Sequence, residues 1–199
     1  MLYKLAHILR DKFGFLWNII EWCNAFVFSF THRNALKKIP TILKECSEQF
    51  SIRMAAPADA PSLAKFFAEQ PEDAFKFFKP HAFDEKNLLK IICNRAFLTF
   101  LVLDDENIVG YFFLRCFVNG KSFKGYMVAD AYKGRGIAKL EGFAMNKVNE
   151  VLGLRMFGSI SPQNPASMAA AKAVNQVKIL RTLDNGDYYI EFLPKAVNI

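Results

Sequence analysis

The sequence predicts an α+β domain, a mixed and mostly antiparallel central sheet flanked by helices, with an N-terminal amphipathic helical appendage. Three observations predict it. From Ser51 onward, short runs rich in β-branched and aromatic residues alternate with helix-spaced segments. A glycine-bearing turn joins one of those runs to a helix, and the first fifty residues differ in texture, dense in Phe, Trp, Leu and Ile. With 199 residues and 52% apolar content the chain can bury one substantial core, so we read residues 1–50 as the appendage and residues 51–199 as a single domain.

In the appendage, Lys4, His7, Asp11, Gly14, Asn18, Glu21 and Ala25 recur at steps of three and four residues. That spacing puts them on one stripe of a helix and leaves a wide apolar face carrying Leu5, Leu9, Phe13, Leu16, Ile20 and Val27. Asp11 and Glu21 argue against a cleaved leader and against a spanning helix. Two readings stay open. Trp17 and Trp22, with Lys4, Arg10, Lys12, Arg33, Lys37 and Lys38, suit a helix lying in an anionic membrane surface. The same face equally suits packing on the domain or on a second copy, which would make a homodimer. Pro40 then opens a shorter amphipathic segment with Ile42, Leu43, Cys46 and Phe50 on its apolar side.

The domain begins with a strand at Ser51 to Met54 and a turn at Pro57-Ala58-Asp59. Helical spacing follows in Ala60 to Glu69, then around Pro71 to Phe78, and again from Asp84 to Asn94. Phe97 to Asp104 and Ile108 to Val118 form a hairpin across Asp105-Glu106-Asn107, and Phe123 to Ala129 is a third strand. Gly134 and Gly136 precede a helix to about Val151; Arg155 to Ser161 is a strand and Asn164 to Val174 a helix. A last hairpin, Val177 to Leu183 with Tyr188 to Leu193, turns at Asn185-Gly186.

The net charge of +7 is spread along the chain instead of piled into a patch, and no zinc-finger or aromatic RNA-binding signature accompanies it. No nucleic-acid partner is expected. Cys23, Cys46, Cys93 and Cys116 lie far apart with no histidine at ligand spacing, so we expect no metal, and four reduced cysteines buried as small hydrophobes. A reducing, cytoplasmic setting follows, at the membrane's cytoplasmic face if the first helix binds lipid.

The chemistry concentrates in Tyr126-Met127-Val128-Ala129-Asp130-Ala131-Tyr132-Lys133-Gly134-Arg135-Gly136-Ile137-Ala138-Lys139. A diphosphate needs main-chain N–H groups converging at a helix N-terminus, and side chains at Gly134 and Gly136 would block its approach. Downstream, Asn164 follows a strand and opens a helix in Ser161-Pro162-Gln163-Asn164-Pro165-Ala166. With the opening strand Ile52-Arg53-Met54 and its turn, this stretch resembles the GNAT superfamily of N-acetyltransferases. The family's turn reads Gln/Arg-x-x-Gly-x-Gly/Ala; Lys133 stands in the first place, Gly136 in the second and Ala138 in the third.

The resemblance implies a GNAT-like acyltransferase fold, acetyl-CoA as co-substrate and a small-molecule amine as acceptor. It assigns coenzyme binding to Tyr126, Met127, Val128, Lys133, Gly134, Arg135, Gly136, Ile137, Ala138, Lys139 and Asn164. The strand at Tyr126 would splay from its neighbour and offer an N–H to the thioester carbonyl. The family's proton-donating tyrosine is absent, its position being Ala171, so either the thiolate leaves unaided or Tyr188 or Tyr126 substitutes. Ser159 replaces a glutamate found in some relatives, so His81 is the candidate base. An amino sugar of a surface-glycan precursor is the leading acceptor. The alternative is a catalytically silent CoA-binding or scaffolding module at a membrane surface.

Overall fold

The computed structural model describes residues 14–47 and 49–195, with side chains from Asn18 onward. The expectations for Lys4, Leu5, Leu9, Arg10, Lys12 and Phe13, and for the side chains of Leu16 and Trp17, lie outside the described residues.

The chain opens with helices α1 (Gly14–Thr31), α2 (Arg33–Leu36) and α3 (Ile39–Cys46). Strand β1 (Ser51–Met54) leads through a 3₁₀ turn into α4 (Ala60–Ala68), and α5 is Glu85–Ile92. Then come β2 (Phe97–Asp104), β3 (Asn107–Phe117), β4 (Lys121–Val128), α6 (Ile137–Val151), β5 (Arg155–Ile160), α7 (Pro165–Val174), β6 (Asn175–Thr182) and β7 (Tyr188–Pro194). The seven strands form one sheet in the order β1-β2-β3-β4-β5-β7-β6. Every pairing is antiparallel except β4 with β5. That parallel pair is joined through α6, the crossover expected from the glycine turn.

Strand periodicity divides the core. On one face of the sheet, Phe100, Phe112 and Leu114 meet Ile137, Ala144, Met145 and Val148 of α6. On the other face, Leu101, Leu103 and Tyr111 meet Leu63, Phe66 and Phe67 of α4 and Leu88 of α5. The expected helix at Pro71 to Phe78 is instead a 3₁₀ turn, Glu72–Phe75, followed by irregular chain. There Phe75 and Phe78 each lie against the Phe83 ring.

Ile39, Leu43 and Cys46 of α3 are buried in the α6-side core together with Phe28 at the end of α1. The first part of α1 is tied to the sheet by polar contacts. Asn24 donates to the Cys116 carbonyl at 2.9 Å and accepts from the Val118 amide at 3.1 Å, and Glu21 pairs with Arg115. The outer face is open, with Trp22, Phe26 and Phe30 between 58% and 77% exposed. Two cysteines depart from expectation: Cys46 and Cys116 are buried, but Cys23 and Cys93 are exposed because their helices turn those positions outward. All four are free thiols.

Candidate functional site

Strands β4 and β5 pair only at Lys121–Phe123 with Arg155–Phe157. Beyond that point β4 stays with β3 as far as Val128, whereas β5 stays with β7 as far as Ile160. The sheet therefore splits into a V, and a cavity of about 960 Å³ fills the opening. Lys124, Gly125, Tyr126, Met127 and Val128 line one wall, and Gly158, Ser159, Ile160 and Ser161 the other. With β5 gone from its side, that edge of β4 is free to pair with an extended ligand.

At the wide end of the V the chain rounds a 3₁₀ turn, Asp130–Tyr132, and enters α6 through Gly134 and Gly136, with φ of +79° and +84°. Side chains are strained there, and glycine is not. The turn is internally braced. The Lys133 amide donates to the Asp130 carbonyl, Lys139 and Leu140 donate to Gly136, and Gln70 accepts from the Asp130 amide. Among the described residues, the amides of Gly134, Gly136, Ile137 and Ala138 have no acceptor. All four residues line the cavity. Unpaired N–H groups converging at the N-terminus of a fifteen-residue helix form a ready anion site.

Of the residues expected to hold coenzyme, only Arg135 is turned away from the cavity; its guanidinium lies 4.5 Å from the Tyr132 ring. The Lys133 ammonium pairs with Asp130. Asn164 lines the cavity and caps α7, its Oδ1 accepting from the Ser167 amide at 3.0 Å. The Tyr126 hydroxyl is 3.4 Å from that of Ser167, and burial raises its pKa, so the phenol keeps its proton.

The two expected catalytic residues stand apart from the cavity. Tyr188 is half-buried against the α6-side core, opposite Ile160 and Thr182. His81 sits in an aromatic cluster with Phe67, Phe83 and Tyr111. Its Nδ1 faces the Ala82 carbonyl at 2.9 Å and so carries the proton, leaving Nε2 to accept from the Tyr111 hydroxyl at 2.8 Å. Burial pushes the His81 pKa down, which favours this neutral form. Ala171 is buried and likewise does not line the cavity, where Ser167 and Ala170 represent α7.

Sequence reasoning passed over Lys124 and Glu141. A lone lysine in a strand and a glutamate in a helix read as solvated, and only strand parity and helix phase turn both inward. The cavity is also lined by Asp73, Lys76 and Lys79, and by Asn185 and Asp187 of the β6–β7 turn.

No family model and no curated protein matches the sequence. Solved structures do. The GNAT domain of a PAT protein from S. lividans superimposes with a TM-score of 0.62 at 16% identity, over 71% of this chain and 88% of that one. A PaiA N-acetyltransferase from Thermoplasma acidophilum, in complex with coenzyme A, gives 0.62 at 16%, over 74% and 100%. RimJ from Mycobacterium smegmatis, in complex with CoA-disulfide, gives 0.61 at 16%, over 73% and 81%. The architecture is therefore the GNAT acetyltransferase fold.

Proposed function

We propose that this chain, built on the GNAT fold, is an N-acetyltransferase that moves the acetyl group of acetyl-CoA to a primary amine by direct attack in a ternary complex. The four acceptorless amides at Gly134, Gly136, Ile137 and Ala138 carry the reading, because they offer a diphosphate the hydrogen bonds it needs where the helix dipole adds favourable charge. The residues present fit coenzyme A: small residues leave the loop open, and the free edge of β4 suits the amides of an extended pantetheine arm. Lys133 and Lys139 add positive charge beside the phosphates.

In this reading, main-chain amides of β4 stabilise the oxyanion that forms as the amine attacks. The Tyr126 hydroxyl gives its proton to the departing thiolate, taking the part of the tyrosine missing at Ala171. An amino sugar of a surface-glycan precursor is the acceptor class we favour. Calorimetry with coenzyme A, then thiol release from acetyl-CoA across glucosamine, spermidine and a peptide with a free N-terminus, tests the reading. Tight coenzyme binding with no turnover on any amine supports the silent scaffold instead.

A membrane-surface role is a second part of the proposal, favoured by the exposed Trp22, Phe26 and Phe30 on α1 together with exposed Arg33, Lys37 and Lys38 just beyond it. Among the described residues no helix is long and apolar enough to cross a membrane, so the contact would be interfacial. A homodimer through the same face is the competing arrangement.

A further inference from the structure

Strand β4 alternates across the sheet, and Ser122, Lys124 and Tyr126 point to the side of α6 and α7. Ser122 bonds Asn149 of α6, and Tyr126 meets Ser167 of α7. Lys124 is the first residue beyond the last β4–β5 pair, so it stands at the apex of the V. Its half-buried side chain lines the cavity, with Nζ 3.8 Å from the centre of the Phe192 ring and 5.7 Å from that of Tyr126. Gly158 on the facing strand leaves room for the Phe192 ring that Lys124 lies over, since a Cβ there would come 3.1 Å from Phe192 Cε2.

Glu141, from α6, projects toward the same layer and is 0% exposed. Neither carboxylate oxygen has a hydrogen-bond partner among the described residues. The room for it comes from β3, where a Cβ on Gly110 would lie 2.7 Å from Glu141 Oε1. The nearest donor to that carboxylate is the Tyr111 main-chain amide, so a buried, poorly satisfied carboxyl lies beneath the cleft that Lys124 lines.

We propose that the Lys124 side-chain amine is the proton acceptor of the reaction, with Glu141 as a charge buried in the same layer that tunes it. This rests on the acetyltransferase reading. The attacking amine forms its bond to the thioester carbon, and the C–S bond then breaks. The proton shed by the nitrogen passes to the Lys124 lone pair, while the thiolate takes the Tyr126 proton; Lys124 afterwards releases its proton to solvent and Tyr126 regains one, so the sum is amine plus acetyl-CoA giving amide plus coenzyme A thiol. Lys124 can accept because burial lowers its pKa to about 7, with Glu141 pulling the other way. Burial in turn raises Glu141, and Lys124 opposes that shift. Tyr126 is the other titratable group beside Lys124. Asp73, Lys76, Lys79 and Asp187 also line the cavity, and Lys133 and Lys139 line its phosphate end.

The test uses the full chain. Competitive labelling with acetic anhydride between pH 5 and pH 10, read by peptide mass spectrometry, should give Lys124 a titration midpoint near 7, and Glu141→Gln should lower it further. In thiol release with spermidine, glucosamine and a peptide amine, the acidic limb of kcat/KM should follow that midpoint. Lys124→Met and Lys124→Arg should both cut kcat at least 100-fold and remove the limb, while calorimetric coenzyme A affinity stays within threefold. Arginine preserves the charge but cannot deprotonate, so its retained coenzyme binding reports a folded protein that lacks the base. An ordinary lysine midpoint, or variants that keep both turnover and limb, overturns the assignment and leaves the acetyltransferase reading standing. Failure of the wild type to bind coenzyme A, or to turn over any amine, overturns both.

Discussion

The Tyr111 hydroxyl of β3 donates to His81 Nε2 across 2.8 Å, joining the loop before α5 to the middle of the sheet. The Tyr111 side chain is 0% exposed, and burial depresses the pKa of His81. In the unfolded chain a histidine titrates near 6.5, so below that pH the unfolded state binds more protons than the folded one. The stability supplied by neutral His81 is thus complete above about pH 6.5 and is lost as pH falls through the lower, folded value. Urea denaturation at pH 7.5 and pH 5.5 should show this loss in the wild type and a smaller one in His81→Gln. Tyr111→Phe strands the Nε2 lone pair and should cost about 1–2 kcal/mol at pH 7.5.

At Gly136, with φ of +84° and open space where a Cβ would stand, the cost of a side chain is backbone strain. Gly136→Ala should lose roughly 1 kcal/mol, about 2–4 °C in Tm. Because Gly136 lines the cavity beside the unpaired amides, a Cβ there would compete with the coenzyme's phosphates, and calorimetric affinity for coenzyme A should fall at least tenfold. A variant with the Tm loss and wild-type affinity would remove the loop from the coenzyme site.

Asn164 serves as the cap of α7, and its amide nitrogen is available to a ligand in the cavity. Asn164→Ala should cost about 1 kcal/mol, whereas Asn164→Ser retains the cap and should cost a few tenths. If the serine variant keeps its Tm but raises KM for acetyl-CoA several-fold, the side chain binds coenzyme as well as capping the helix. Equal KM would limit it to the cap.

Trp22 and Phe26 stack at 5.6 Å on the open face of α1. Full-length protein should float with anionic vesicles in a sucrose gradient, and replacement of Trp22, Phe26 and Phe30 by serine should leave it at the bottom with its Tm within a few degrees. Equal flotation would turn attention to dimerisation, which analytical ultracentrifugation of the two proteins would read directly.

The glycine turn and its open amides were legible because their requirements are local. Two glycines at positive φ, a small residue at Ala138 and the first turn of α6 are contiguous, and only a few residue types satisfy such a turn. The proton-handling end was not. His81 drew notice as a histidine near neutral pH, yet both its nitrogens are engaged by groups that the sequence does not bring near it. Tyr126 was named for its main chain and, with Tyr188, as a substitute proton donor; what the sequence could not show is that the approach of α7 brings its hydroxyl to Ser167.

By itself the sequence determined the alternation of strands and helices, the sheet with a helical crossover, and the glycine loop that opens its helix. These follow from periodicity and from backbone preferences that act over a few neighbouring residues. The tertiary structure alone decided that β4 and β5 part after Phe123 and Phe157, that Lys124 faces the cavity this opens, and that Glu141 is buried in the core. Which face of a strand is buried, and how far water is kept from an ionisable group, are fixed by packing between distant elements.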